Sequence, residues 1–329
     1  MKVGIVGTGM IAQIVAPQLK SWGIELVAIA SSSQSADKAQ QLAQTLGASA
    51  WYSDYSQLIA DPRVDTIYVA VPNYLHYIVA KAALNAHKDV ICEKPLTANA
   101  KEATALAALA LEKEQFLWEA VVTTRQPNFL LIREKLLPCL GEIRQVNANY
   151  SQYSSRYDAF CSGQLPPVFD STKAGGALMD LGLYVLTFTL GLFGEPKSCH
   201  YMPHIERGID TSGVITLTYD TFTAINVCSK DCDGPNACII QGTEGYIYMD
   251  SAPTTCGKVI LHLRDDVEKT YDYSLSSVYE AEFKEFLAQQ EKKDYSACYQ
   301  KLEESLLVSR VRDILRHDAG ILFPSDNKA

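Results

Sequence analysis

The chain has 329 residues, 47% of them hydrophobic and 20% charged, which suits a two-domain globular protein that buries a large core. Its 29 basic and 38 acidic side chains leave a net charge of −9, which argues against a nucleic-acid backbone or an anionic membrane surface as partner. Nine cysteines, an odd number with no CxxC pair and no His/Cys cluster, point to thiols in a reducing cytoplasm and to no metal site.

The first third alternates between short apolar runs and amphipathic stretches. The runs are KVGIVG (2–7), ELVAIAS (25–31), AWY (50–52), TIYVAV (66–71), DVICEK (89–94) and QFLWEAVV (115–122). Helical patterns over 10–22, 36–46, 73–86 and 99–113 separate them. This order predicts a doubly wound parallel sheet covered on both faces, a Rossmann domain over 1–121.

Beyond residue 122 the texture changes. A helix over 127–137 closes at Pro138, a long strand covers 142–154, and an apolar helix covers 175–193. The run Ala177–Phe193 carries Asp180 and two glycines, so it reads as a buried helix and not a membrane span. Residues 197–273 are mostly strands, with a tight hairpin at 219–223, and two amphipathic helices end the chain. The prediction is an α+β domain over 122–329 with an open, mainly antiparallel sheet, giving an α/β protein as a whole.

Five stretches carry chemistry. In GIVGTGMIA, Gly7 permits a tight turn, Gly9 lets backbone approach a pyrophosphate, and Ala12 allows close helix–strand packing. At the end of the second strand, where an acid would bind the ribose of NAD, the chain has Ser31, Ser32 and Ser33, with Lys38 nearby. NADP(H) is therefore favoured, with NAD(H) as the other cofactor. The same serines also suit helix capping. VPNYLH (71–76) and CEKPL (92–96) end the fourth and fifth strands, where ligands of parallel sheets bind. In GGALMDLGLYVL (175–186), Asp180 and Tyr184 stand four residues apart and share a helix face. A buried carboxylate needs a partner, and Lys94 is the expected one.

GTGMIA, VPNYLH, CEKPL, GGALMDLGLY and QGTEGYIYMDSAP together resemble, in order and spacing, the glucose–fructose oxidoreductase and inositol dehydrogenase (Gfo/Idh/MocA) family over nearly the whole chain. Tyr184, where many members have histidine, is similar to the branch with dimeric dihydrodiol dehydrogenase. The resemblance implies a catalytic role for Lys94, Asp180 and Tyr184. It places Gly7, Gly9, Met10, Ile11, Ala12, Ser31, Ser32, Ser33, Lys38, Val71, Pro72, Asn73, His76, Glu93 and Lys94 at the cofactor. Arg125, in EAVVTTRQPNF, matches the arginine of a W-T-R-F type stretch and joins Asp180 and Tyr184 at the substrate.

The function expected is hydride transfer between a nicotinamide and a secondary alcohol or carbonyl of a sugar or cyclic diol. The second domain would bind substrate and pair two or more subunits into a homodimer or a dimer of dimers. The rival reading on the same fold is a non-catalytic dinucleotide sensor. Retention of Lys94, Asp180 and Tyr184 speaks against it, since a sensor needs no proton relay.

Overall fold

The computed structural model describes residues 1–327. Two compact units divide the chain. One holds Met1–Ala120 and Glu282–Leu306, the other Val121–Ala281 and the residues from Leu307. The stretch 282–306 thus packs with the first unit, whereas the sequence alone suggested a single cut near 121. Its aromatic residues explain this: Phe283 stacks on Trp22 and meets Tyr68 edge-on, and Trp118 Nε1 donates to Gln289 Oε1 at 2.6 Å.

The first unit is built on strands β1 (Lys2–Val6), β2 (Glu25–Ala30), β3 (Ala50–Tyr52), β4 (Thr66–Val69), β5 (Asp89–Glu93) and β6 (Leu117–Ala120). Their order is β3-β2-β1-β4-β5-β6 and every pairing is parallel. The sheet is laid outward from β1 in one direction through β2 and β3 and in the other through β4 to β6, and the switch between β1 and β4 creates the crevice where such sheets hold dinucleotides. Helices α1 (Met10–Val15), α2 (Ala36–Leu46), α3 (Tyr55–Ile59), α4 (His76–Asn85) and α5 (Ala100–Glu112) form the crossovers. Strands β4 and β5 are buried almost throughout, as a sheet covered on both faces requires. The expected helix 10–22 becomes 3₁₀ from Ala16 to Trp22, because Pro17 brings no N–H to the α-helical ladder.

In the second unit, helix α6 (Pro127–Leu131) runs into a π turn at Ile132–Leu136 and a 3₁₀ turn at Leu137–Leu140. Strand β7 (Ile143–Ser151), helix α7 (Tyr157–Cys161) and helix α8 (Leu183–Phe193) follow. Then come β8 (Ser198–Glu206), β9 (Ile209–Thr218), β10 (Thr223–Ser229), β11 (Ala237–Gly242), β12 (Gly245–Met249), β13 (Val259–Leu263) and β14 (Val267–Tyr271). The sheet order is β14-β13-β12-β11-β7-β10-β9-β8, antiparallel except for β7 beside β10.

Strand residues alternate between the face under α8, which buries Val146, Ala148, Ala224, Asn226 and Ile240, and an open face. Across that open face one row runs in register as Thr216, Ile225, Asn147, Ile239, Tyr248 and Ile260, all half-buried. Two helices, α9 (Glu280–Lys292) and α10 (Tyr295–Asp318), complete the chain before a 3₁₀ turn at Pro324–Asn327.

Candidate active site

The glycine loop after β1 is built as its residues require. Gly7 has φ +123°, and a Cβ there would lie 2.1 Å from the Ala70 carbonyl oxygen, just beyond β4. Its amide donates to Ala30 O at 2.8 Å, at the end of β2. The turn is thus wedged into the switch point, and only glycine fits. Gly9 caps α1 with φ −70°, and a Cβ on it would meet nothing within 4 Å. Its bare Cα faces open space at the start of α1, which fits the close approach of a pyrophosphate. Ala12 is fully buried, Ile11 half-buried and Met10 72% exposed.

At the end of β2, Ser31 is buried and its hydroxyl donates to Ser32 O at 3.1 Å. Ser32, Ser33 and Lys38 are exposed. The serine side chains make no cap hydrogen bond at the start of the 3₁₀ turn 33–35 or of α2. Ser32, at the N-cap of that turn, thus lacks the capping role weighed against cofactor binding.

The loop after β5 is fastened at three points around half-buried Lys94. Before it, Glu93 accepts from Tyr68 Oη at 2.5 Å. After it, His76 Nδ1 lies 2.7 Å from Pro95 O, and Glu119 Oε1 accepts from Leu96 N at 2.7 Å. The Lys94–Pro95 peptide is cis. Burial raises the Glu93 carboxyl to about 7, against the pull of the Tyr68 hydrogen bond and the Lys94 charge.

The other ring nitrogen of His76, Nε2, lies 2.8 Å from Val71 O. Two carbonyls therefore face a ring that burial holds below the ordinary histidine pKa, and the neutral ring donates to one of them. His76 sits 1% exposed and ties VPNYLH to CEKPL. Val71 and Asn73 are half-buried, and Pro72 is exposed, at the mouth of the same strand ends.

In the second unit the helix carrying Asp180 opens with a π turn, Leu178–Gly182, and continues as α8. Such turns recur at functional sites because they re-aim side chains. Among the described residues, Ser171–Phe193 is long and apolar enough to cross a membrane, yet 72% of its most apolar window is buried in the protein. From Ala174 to Leu190 every residue is buried except two, Asp180 and Tyr184.

The helix is seated by its glycines. A Cβ on Gly176 would lie 2.1 Å from Asp210 Oδ1, and one on Gly182 would lie 3.2 Å from Cys228 Sγ. Asp210 Oδ2 accepts from Leu178 N at 2.7 Å and from Tyr201 Oη at 2.9 Å, which fixes the first turn. Tyr184 lies beside Tyr150 of β7, ring centroids 5.9 Å apart. Arg125 is 6% exposed in a 3₁₀ turn, with Nη1 donating to Val121 O at 3.2 Å.

Lys94 belongs to the first unit, and Asp180, Tyr184 and Arg125 to the second. Within its own unit Asp180 has an ion-pair partner that the sequence did not announce: Lys230 Nζ donates to Asp180 Oδ2. Lys230 follows β10 in CSKDCD, where a lysine beside acids reads as a solvated turn. Nothing local marks it. The packing of β10 against the π turn brings the two together. Glu119 and Tyr68 were missed for a similar reason, since both lie inside apolar strands of a covered sheet.

Residues 1–121 match an oxidoreductase family with an NAD-binding Rossmann fold, and residues 139–248 match the GFO/IDH/MocA C-terminal domain. The chain is 31% identical to an uncharacterized oxidoreductase, YgjR, of Escherichia coli, over 99% of each chain. It is 33% identical to the scyllo-inositol 2-dehydrogenase (NADP(+)) IolU of Bacillus subtilis, over 89% of this chain and 90% of that one. Mouse trans-1,2-dihydrobenzene-1,2-diol dehydrogenase shares 28% over 100% and 99%. The fold is similar to that of a 3-ketoreductase from Actinomadura kijaniata solved with NADP, at TM-score 0.84, 24% identity and 97% of each chain. The glycine turn at the β1/β4 switch point, the fastened Glu-Lys-Pro loop and these matches place the chain in the Gfo/Idh/MocA family, as an NAD(P)-dependent oxidoreductase.

Proposed function

We propose that the protein is an NADP(H)-preferring dehydrogenase that interconverts a secondary alcohol and a carbonyl on a neutral cyclic polyol, sugar or cyclic diol. One observation carries this reading. In the helical stretch 177–190, buried everywhere else, the only half-buried side chains are a carboxylate and a phenol, one turn apart. Core packing has no use for that pair, whereas proton exchange with a hydroxyl does. The named activities of the inositol and dihydrodiol dehydrogenase relatives support the substrate class.

The nicotinamide, when bound, accepts or returns the hydride. The remaining work falls to the chain. Gly7 and Gly9 clear the path for the pyrophosphate, with Met10, Ile11 and Ala12 starting the helix behind them. Ser31, Ser32, Ser33 and Lys38 receive a 2′-phosphate through hydroxyls and a cation, with no acid before Asp37 to repel it. Val71, Pro72, Asn73, His76 and Glu93 shape the strand-end floor. Lys94 donates a hydrogen bond to the reacting oxygen. Tyr184 exchanges the proton with that oxygen, a contribution of about 10²–10⁴-fold. Asp180 accepts a second substrate hydroxyl, and Arg125 orders the wall near it. The first unit binds cofactor, and the second, built on Val121–Ala281, binds substrate and self-associates.

The open face of the eight-stranded sheet, with Ile225, Ile239, Tyr248 and Ile260 in one row, supports a homodimer or dimer of dimers packed through it. Buried thiols at Cys92, Cys228, Cys238 and Cys256 support a reducing cytoplasm as its compartment. Net charge −9 disfavours nucleic acid and membrane as partners. The test is NADP+ reduction over inositols, aldoses and cyclic diols. Turnover on at least one neutral polyol is expected. Binding of NADPH with no turnover across the panel would make the protein a sensor.

A further inference from the structure

We propose that Lys230 is a positioning residue for this dehydrogenase: it holds Asp180 as an aimed carboxylate that accepts a hydroxyl of an uncharged substrate. The proposal rests on the dehydrogenase reading above and adds a residue and a selectivity to it.

Lys230 is locked before its side chain begins. Its amide donates to Thr211 O at 2.8 Å, and its carbonyl accepts from Ser154 N at 2.9 Å. The next residue, Asp231, is turned away and accepts from Thr211 Oγ1 at 2.7 Å and Ser212 Oγ at 2.8 Å. The Lys230 ammonium lies 6.0 Å from the centre of the Phe169 ring and donates to Asp180 Oδ2. The two side chains differ in exposure, 7% for Lys230 and 27% for Asp180.

That asymmetry sets the chemistry. The cation is sealed behind the anion, so an incoming ligand meets carboxylate oxygen and not ammonium. The pair is neutral overall and presents an acceptor. It suits a hydroxyl donor and disfavours a carboxylate or phosphate on the substrate at this position. Lys230 also makes Asp180 affordable as an ion, because a half-buried carboxylate stripped of its cation tends to take up a proton and cease accepting. The π turn aims Asp180, and Lys230 from the neighbouring turn anchors one of its oxygens, leaving its geometry set from two independent elements.

The experiment compares wild type, Lys230→Met, Lys230→Arg, Asp180→Asn and the Lys230→Met/Asp180→Asn double variant. Each is assayed for NADP+ reduction with the best polyol of the panel, for NADPH affinity, and for thermal midpoint. Lys230→Met is expected to lower kcat/KM about 100-fold, mainly through KM, with NADPH affinity unchanged. Lys230→Arg keeps the cation and is expected to recover most of that loss. The double variant should lose little more than Asp180→Asn alone, because the two residues act as a unit. If wild type turns over a polyol while folded Lys230→Met matches its kcat/KM, the inference is overturned and the dehydrogenase reading stands. Equal losses in Met and Arg variants, tracking a lowered midpoint, also overturn it, since Lys230 would then be structural. If wild type turns over nothing in the panel, the dehydrogenase reading itself falls and takes the inference with it.

Discussion

The Tyr68 hydroxyl donates to Glu93 Oε1 across 2.5 Å, from β4 to the last residue of the adjacent strand β5. Glu93 precedes Lys94, so this bond anchors one side of the turn that carries the lysine. The carboxyl it holds is buried and raised to about 7 from an ordinary 4.5.

That shift has a signed consequence for stability. Between pH 4.5 and about 7 the unfolded chain has lost the Glu93 proton while the folded chain keeps it. The folded state binds more protons there, so this residue's contribution falls as pH rises and is flat outside the window. The total change is on the order of 3 kcal/mol. Glu93→Gln should remove this slope. Tyr68→Phe should extend it to higher pH, because the Tyr68 hydrogen bond holds the carboxyl down. Urea midpoints of wild type minus Glu93→Gln, taken from pH 4.5 to 8, measure it. A difference that does not change with pH would refute the assignment.

Much of this architecture was legible because covered parallel strands read as continuous apolar runs and Gly7-x-Gly9 sits after the first of them. Helix 36–46 and strand 50–52 emerged with the expected bounds. Other elements left weaker traces. Strand β8 contains Pro203, tolerated because β8 is an edge strand, and β14 is exposed over nearly its whole length on the opposite edge. Helices α3 and α7, five residues each, are too short to show a period. At the proposed site, spacing paired Asp180 with Tyr184, and both lie on one helical stretch. Tyr68 and Glu119 reach the loop around Lys94 through strand pairing, and Lys230 reaches Asp180 through packing of β10 on the π turn, neither of which leaves a mark on local sequence.

Cofactor choice follows from the end of β2. Ser32 and Ser33 are exposed there, and an acid at that place would bind ribose hydroxyls and repel a 2′-phosphate. Wild type should bind NADPH more tightly than NADH, and the gap should narrow with salt. Ser32→Asp should shift the ratio of dissociation constants toward NADH by about ten-fold or more. Equal affinities for both cofactors in wild type at low ionic strength would contradict this.

Assembly is tested on the open sheet face. Ile239 sits mid-row between Asn147 and Tyr248, so a charge there would be trapped in the proposed contact. Ile239→Glu should convert a dimeric or tetrameric mass to a monomeric one by light scattering at micromolar concentration. Circular dichroism should stay unchanged. A wild-type monomer under the same conditions would dismiss the interface.

Tyr184 and Asp180 are the two half-buried side chains in the otherwise buried stretch 177–190, and Tyr184 rests against Tyr150. If Tyr184 exchanges the proton, Tyr184→Phe should lower kcat by about 10²-fold or more. NADPH affinity should barely change, because the residues proposed to bind cofactor lie in the other unit. Lys94, proposed to hydrogen-bond the same oxygen, should also lower turnover when changed to Ala, and the losses should fail to add in the double variant. The conserved volume of Phe keeps the contact with Tyr150, so lost activity in Tyr184→Phe reports the hydroxyl and not the packing. Wild-type turnover in that variant would make Tyr184 a packing residue and hand the proton to Lys94 or to a bound water.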